Sequence, residues 1–523
     1  MASRRDELNA YTFARKRMVG AFLQPSGGGN DEDAPRPVKA VLPSVVVAAV
    51  LVAGFGMLGV VSPTAPQGWD DTKNIIQGRD STTRYVVLVD PVTKEKQLHQ
   101  VLNMASARLV TPANAKIVIV ADNVLDAYKN HGPTIGIPYA PDKLPTPDVA
   151  AAAKKWSVCD KAGSDNTQAT INQSVFVTVD KEAAQLEKPG KKLAAGEWLF
   201  VAEPDTTANR GAWYLVDSGG FKHAIGRVDT SAGDRLALAG AVFGAAKPQQ
   251  VTKEWLDTLK DGERIDYPVV PGYTGRKVAS SLKLTNPDDQ YVGRVLTYQG
   301  TSFYAVGKDQ LFEISPFQAY MIGKSPAAAV LYGDVPEVKP AQLSQTDYGK
   351  YASQVDSQTM LKPKGDLPRE KPSGHPVNVL ADGQGRTVLC STFESMDDSG
   401  NTAQSVFADA QYPAEVASGS SSAHVSPGAG LVFRASEGGQ NGSGSNFLLT
   451  ETGLRYQLKA NTADGAKSTG TTGQQQAPQQ GDGAQARLGY DKIQPVMVPN
   501  AWAALVPAGP VLDVNAAAKP QNY

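Results

Sequence analysis

Five histidines, two cysteines and three short glycine-bearing motifs are the places in this 523-residue chain where residue type and spacing could do chemistry. His99, His131, His223, His375 and His424 are scattered, and no His-Glu-x-x-His stretch sets two imidazoles one helical turn apart, so no metal site is proposed. With only Cys159 and Cys390, a thiolate zinc cluster and a disulfide-dense small fold are excluded. Asp217-Ser218-Gly219-Gly220 matches the tetrapeptide around the nucleophile of trypsin-like proteases. The preceding residue is not Gly, however, and no upstream histidine–cysteine segment completes a triad, so a turn is expected there. Gly323-Lys324-Ser325 matches the end of a phosphate-binding loop, but position 318 is Gln where that loop needs its first glycine. Gly54-Phe-Gly56-Met-Leu-Gly59 spells the dinucleotide pattern inside an unbroken apolar run, where neither a preceding strand nor an aqueous helix start exists. No nucleophile–base pair is visible. The expectation is therefore no catalytic residue, no cofactor and no metal.

What remains is to ask which elements these residues sit on. Ala40–Val61, AVLPSVVVAAVLVAGFGMLGVV, carries no charge. As a helix its 22 residues would span about 33 Å against a hydrocarbon core of about 30 Å. A cleaved signal peptide would have a shorter apolar region, a shorter leader and a small-residue cleavage site, none of which is present. Lys and Arg set the orientation: Arg4, Arg5, Arg15, Lys16, Arg17, Arg36 and Lys39 precede the run, whereas 62–78 carry only Lys73. The amino arm is expected in the cytoplasm and about 460 residues outside, in a single-pass protein. Small residues at four-residue spacing, Ala40, Ser44 and Ala48 on one stripe, Ala49 and Ala53 on another, suit helix packing in lipid. A simple anchor is the competing reading.

Residues 4–23 place Leu8, Tyr11, Ala14, Met18, Ala21 and Phe22 near helical spacing, with Arg15, Lys16 and Arg17 interrupting that face, as in a basic amphipathic helix. Two uses compete: resting on anionic headgroups, or docking into a partner through Tyr11, Phe13, Arg15, Lys16, Arg17 and Phe22. Residues 24–37 read as a tether. A net charge of −1 leaves no global basic face for nucleic acid.

Outside the membrane, four stretches repeat an aromatic-led strand, a turn, a second strand and a helix. They begin at Tyr85, Trp213, Phe303 and Phe447, and a second helix candidate follows each: ADNVLDAY, TKEWLDTL, KPAQLSQT and NAWAALV. The expected unit is ββαα, four times over. Two longer intervals carry further strand-like runs, including Trp198–Val201 and Gly430–Phe433, and one cysteine each. Beyond cytosolic reductants two such cysteines usually pair, which would join the intervals into one discontinuous central domain; two buried free thiols are the alternative. Residues 462–485 hold no large apolar side chain and are expected to be a disordered insertion. Residues 362–376 are a Pro-rich connector.

NAYTFARKRMVGAFL in the arm, the single span, QLHQVLNMASARLV in the first repeat, WSVCD and VLCSTF around the cysteines, and a terminal PAGPVLD resemble the EccB family of type VII (ESX-like) secretion machinery. The resemblance runs over essentially the whole chain. It implies four repeats around a disulfide-linked central domain, in a membrane complex with a motor ATPase (EccC), EccD and EccE. A subtilisin-like membrane protease would associate outside, and homo-oligomers are implied.

The fold class expected is thus a single-pass membrane protein with an α+β extracytoplasmic region, four ββαα-type repeats around a discontinuous β-rich central domain. Its boundaries would be a cytoplasmic arm (1–39), the span (40–61), a linker (62–79), repeat 1 (80–132), a leading central segment (133–205), repeat 2 (206–267), repeat 3 (268–345), a trailing central segment (346–445) and repeat 4 (446–515). The function expected is a non-catalytic core subunit linking the motor side to the outer assembly. Some family members are labelled ATPases; an ATPase subunit and a membrane-anchored cell-wall-binding protein are the alternatives.

Overall fold

The computed structural model describes residues 3–23, 37–61 and 65–521, less 162–170, 189, 205–210, 228–229, 334, 336, 353–354, 356–360, 362–366, 369, 371–374, 380–384, 398, 417–422, 437–443 and 461–482. Two helices lead the chain, α1 (Arg4–Leu23) and α2 (Pro37–Val61). The described side chains of α2, at 41 and 43–55, are all exposed. No helix among the described residues is long and apolar enough to cross a membrane; the span expected over 40–61 extends past those side chains.

The first sheet contains β1 (Asn74–Gly78), β2 (Arg84–Val89) and β3 (Lys96–Val101), then α3 (Met104–Val110), β4 (Lys116–Val120) and α4 (Asp122–Asp126). After α5 (Pro147–Ala151) come β5 (Lys155–Lys161), β6 (Asn172–Thr178) and α6 (Asp180–Leu186). A second group follows: β7 (Trp198–Ala202), β8 (Trp213–Asp217), β9 (Phe221–Ala224), α7 (Ala232–Phe243), β10 (Gln249–Gln250), α8 (Lys253–Asp257) and β11 (Lys260–Asp261). The third is β12 (Val295–Tyr298), β13 (Ser302–Val306), β14 (Leu311–Ile314), α9 (Pro316–Lys324), α10 (Ala328–Tyr332), β15 (Ala341–Gln342) and α11 (Gln345–Asp347). Then run β16 (Val388–Met396), β17 (Thr402–Asp409) and β18 (Ala423–Val425). The last group is β19 (Leu431–Ser436), β20 (Asn446–Leu449), β21 (Arg455–Leu458), α12 (Ala484–Arg487), β22 (Val496–Pro499) and α13 (Asn500–Ala503), with α14 (Val514–Ala517) near the end.

Four sheets contain one four-strand order, β3-β2-β1-β4, β9-β8-β7-β10, β14-β13-β12-β15 and β21-β20-β19-β22, and the second adds β11 beside β9 as a fifth strand. In each, an antiparallel three-strand meander is followed by a helix (two, α9 and α10, in the third) and a short strand that returns parallel to the first. The local unit is therefore βββαβα, two strands richer than the expected ββαα. Three first strands fall outside the expected repeat boundaries: β1 in the linker, β7 in the leading central segment and β19 in the trailing one. Trp198–Ala202 is buried at every position, so it lacks the alternation that marks a surface hairpin. β10 and β15 are two residues long and exist only because a first strand offers its edge.

The fifth sheet, β17-β16-β5-β6-β18, is assembled from strands more than 200 residues apart in sequence. One face forms a core with the second and last groups: Trp156, Val158 and Val177 pack with Leu199, Trp255, Leu431, Phe433 and Trp502. The opposite face holds Phe176, Phe407 and the two cysteines under Leu186. The first and last sheets share a core through Leu109, Leu448 and Tyr456, and the second and third through Phe243, Phe317 and Met321. Most of the 462–485 stretch lies outside the described residues. Its end does not match a disordered insertion: Ala484 is fully buried, and Gln485 Nε2 donates to Tyr490 and Ile493 carbonyls (both 3.0 Å).

Candidate partner-binding site

Each motif that could have carried chemistry has a local structural role. Asp217–Gly220 is the β8–β9 turn, with Asp217 Oδ1 accepting from the Gly219 and Phe221 amides (2.9 and 3.0 Å) and Gly220 at φ 79°. Gly323-Lys324-Ser325 closes α9 at its C-terminal end, the pole of the helix that presents carbonyls, whereas a phosphate needs the N–H end. A Cβ at Gly323 would meet Val338, which accounts for that glycine by packing. Gly54–Gly59 lies within α2. Glu182 accepts from His424 Nε2 (3.0 Å) and from the Ser426 hydroxyl. Burial pushes its carboxyl up, but these two hydrogen bonds hold it below the ordinary glutamate value. The acid sits between serine and histidine, so the imidazole cannot take the serine proton and no nucleophile is activated. Among the described residues no group of three His, Cys, Asp or Glu side chains is arranged to hold a metal ion.

Cys159 on β5 and Cys390 on β16 are directly opposite in the antiparallel ladder and form a disulfide that spans 231 positions. The bond is buried, with Cys159 fully enclosed. Beside it, Asp160 ties the central sheet to the second group. Its Oδ2 accepts from the Thr252 amide (2.6 Å) and hydroxyl (2.8 Å), and Oδ1 from Gln173 Nε2 (3.2 Å). Thr252 Oγ1 in turn caps α8 by accepting from the Trp255 amide. Burial pushes the Asp160 carboxyl up to about 6 in spite of these donors.

The arm residues lie together on α1, where Tyr11, Phe13, Arg15, Lys16, Arg17 and Phe22 are all exposed. At about 100° per residue, Leu8, Tyr11, Met18, Val19 and Phe22 fall within one arc of about 100°, with Arg15 inside it. Phe13, Lys16 and Arg17 lie outside that arc. Ala14 and Ala21 lie beside this arc. On α2, Ser44, Ala48, Ala49 and Ala53 are exposed, and the Ser44 hydroxyl donates to the Val41 carbonyl (2.9 Å).

A further set of residues escaped the sequence reading. In the first, second and last groups an extended segment runs parallel to the third strand and places a glycine beside its aromatic residue. Gly132 donates to the Leu98 carbonyl next to His99, Gly262 to Lys222 next to His223, and Gly509 to Arg455 next to Tyr456 (3.0, 2.9 and 2.8 Å). Three residues after each glycine, Ile135, Ile265 and Leu512 pair with Val101, Ile225 and Leu458, only two residues after the aromatic. The same one-residue bulge occurs in all three. His99 Nδ1 and His223 Nδ1 each reach the carbonyl of the residue following the glycine (2.9 and 2.8 Å), and a carbonyl only accepts, so both rings carry the proton on Nδ1. The signal in the sequence is HGPTI, DGERI and AGPVL.

Residues 1–522 match the family model described as type VII secretion system ESX-1, transport TM domain B. A Mycolicibacterium smegmatis protein named ESX-3 secretion system ATPase EccB3 is 25% identical over 445 residues, covering 82% of this chain and 78% of that protein. A Mycobacterium tuberculosis protein of the same name is 25% identical over 439 residues, covering 79% and 73%. The fold is shared with a chain of an intact ESX-5 inner membrane complex, at TM-score 0.60 and 19% identity over 100% of this chain and 96% of that one. It is also shared with the EccB3 dimer from the ESX-3 core complex, at TM-score 0.56 and 21% identity over 85% and 99%. A match from the first residue to residue 522 takes in α1, α2 and every sheet, and the chain belongs to the EccB family of type VII secretion systems.

Proposed function

We propose that this chain is a non-catalytic structural core subunit of a type VII secretion complex. It crosses the cell membrane once through 40–61, with α1 in the cytoplasm and the five sheets outside, as four repeat units around a disulfide-closed central domain. The shared strand order of four sheets supports the repeats. The K/R asymmetry about 40–61 supports the orientation. One observation carries the partner role: α1 exposes Leu8, Tyr11, Met18 and Phe22, the last at 88%, as a stripe that stays open to solvent. An apolar helical stripe rimmed by cations is the form that lies in a partner's groove. The partners are the motor ATPase EccC together with EccD and EccE, a subtilisin-like protease on the outer side, and further copies of this chain.

Against the ATPase alternative stands the place of Gly323-Lys324-Ser325 at a helix C-terminus, and the absence of a phosphate-cradling loop from the sequence. The test reverses Arg15, Lys16 and Arg17 to Glu in the full chain and follows mild-detergent co-purification from native membranes. Loss of the motor subunit with the Cys159–Cys390 bond intact is expected. Co-purification and secretion unchanged would reduce α1 to a membrane-surface element, and ATP turnover by the purified chain would overturn the non-catalytic reading.

A further inference from the structure

We infer that the tip of the β2–β3 hairpin, residues 90–95, rests on the outer surface of the membrane with Val92 seated among the lipid headgroups. This rests on the orientation proposed above, with 40–61 spanning and the sheets outside, and adds to it a contact between the first sheet and lipid.

The tether between span and sheet is short. The apolar helix α2 ends at Val61, and Ala65 and Trp69 already pack against the core formed by Ile76, Val87, Leu98, Val120 and Leu125. Four residues reach at most about 14 Å, so the first unit is held close to the point where the chain leaves the hydrocarbon. Sheet polarity says which end of the unit meets the chain. β1 pairs antiparallel with β2 and parallel with β4, so the starts of β1, β3 and β4 lie together with the end of β2. The incoming segment crosses this same end. Asn74 Nδ2 donates to the Gly68 and Trp69 carbonyls (3.0 and 3.3 Å), and Lys96 Nζ, at the base of the hairpin, donates to the Asp70 carbonyl (3.0 Å). Beyond that base the tip projects by about two residues, or about 7 Å, which matches a headgroup layer of about 5–8 Å.

The tip is built to hold an apolar side chain outward. Asp90 Oδ1 accepts from the Val92 and Thr93 amides (both 2.8 Å). Asp90 N donates to the Glu95 carbonyl (2.9 Å) and Lys94 N to the Asp90 carbonyl (3.0 Å), with Lys94 at φ 60°. These bonds satisfy the turn and leave Val92 86% exposed beside exposed Pro91, packed against neither core of the first sheet. Lysines and acids are interleaved at this end, Lys73, Lys94 and Lys116 with Asp70, Asp71 and Glu95, so net charge does not draw it to anionic lipid. One valine buries too little area to bind a bilayer from solution. The tether supplies the rest, because a site held within about 14 Å of the bilayer meets it at high effective concentration.

The full chain is prepared as Val92→Cys and as Asp80→Cys, the latter at the far end of β1, and each thiol carries an environment-sensitive fluorophore. Both native cysteines are paired and take no label. Positions 80 and 92 are exposed, and unchanged circular dichroism would confirm that the fold is kept. In zwitterionic vesicles containing a headgroup-depth quencher, the probe at 92 should be quenched at least about twofold more than the probe at 80, and equally so when anionic lipid is added. A flexible insertion of about ten residues after Val61 should remove the difference. Equal quenching at both positions, a difference that survives the insertion, or a requirement for anionic lipid would each overturn the inference. So would a 92 probe that lipid leaves unquenched and that only the native complex shields from aqueous iodide, the mark of a protein partner. An impermeant thiol reagent should label Asp80→Cys in intact cells. Labelling without lipid quenching at 92 would overturn the inference and leave the orientation standing; no labelling would overturn both.

Discussion

Gly262→Ala is the sharpest probe of how these units close. A Cβ built on Gly262 lies 2.5 Å from His223 Nδ1, and the glycine has ordinary backbone torsions, so the obstacle is steric and not conformational. Comfortable contact needs about 3.5 Å, so the ring must retreat by about 1 Å. It has nowhere to go. His223 is fully buried, and its Nδ1 proton is held by the Glu263 carbonyl at 2.8 Å. Overpacking a tight core costs about 1–3 kcal/mol, and loosening the hydrogen bond adds about 1 kcal/mol, giving about 2–4 kcal/mol in all. Gly240→Ala is the matched control, since it sits inside α7 with nothing within 4 Å of the new methyl. It should stabilise by about 0.5–1 kcal/mol through helix propensity. Because a chain with several cores need not unfold in one step, amide hydrogen exchange of β8, β9 and 260–265 in the full chain is the assay. Protection there should fall in Gly262→Ala and hold in Gly240→Ala. In a His223→Ala background the Gly262→Ala penalty should shrink, because the clashing ring is gone. A Gly262→Ala protein as protected as the parent, or a penalty indifferent to His223, would refute the packing argument.

Two further outcomes follow from the central sheet. The Asp160 carboxyl, raised by burial to about 6 when folded against 3.8 unfolded, binds more protons in the native state between those values, so stability should fall as pH rises from about 4 to 6. The shift corresponds to about 3 kcal/mol, and thermal melts across pH 4–7 should show this slope in the parent and lose it in Asp160→Asn; a steeper slope in the variant would reverse the assignment. Replacing Cys159 and Cys390 by Ala removes a loop closure of 231 positions, worth about 5 kcal/mol as an upper bound. Exchange should quicken in β5, β16 and β17 and stay unchanged in β12 to β14; uniform quickening, or none, would contradict a central sheet that the bond helps to close.

The sequence by itself determined what is local or compositional. NMASARLV reads as a helix because Ala105 and Leu109 fall one turn apart behind a capping residue, and Asn103 does cap it by accepting from Ser106 N. Aromatic-led hairpins such as Trp213–Ala224, with a glycine at positive φ in the turn, were legible because both strands and the turn lie within twelve residues. Oxidising location and a count of two predicted the cysteine bond. The arm's charges and the apolar run were readable for the same reason. Tertiary structure alone decided the rest. β7 and β19 are buried on both faces, so they carry no alternation to mark them as first strands of their sheets. β10 and β15 have no propensity to read, only an edge to join. Gly132, Gly262 and Gly509 are small because a ring from a strand about 33 to 53 residues earlier occupies the space a Cβ would need. Asp160 tolerates burial only because Thr252, 92 residues on, brings two donors to it. Signals that depend on one turn of chain survive in a one-dimensional reading; those that depend on which distant surface arrives do not.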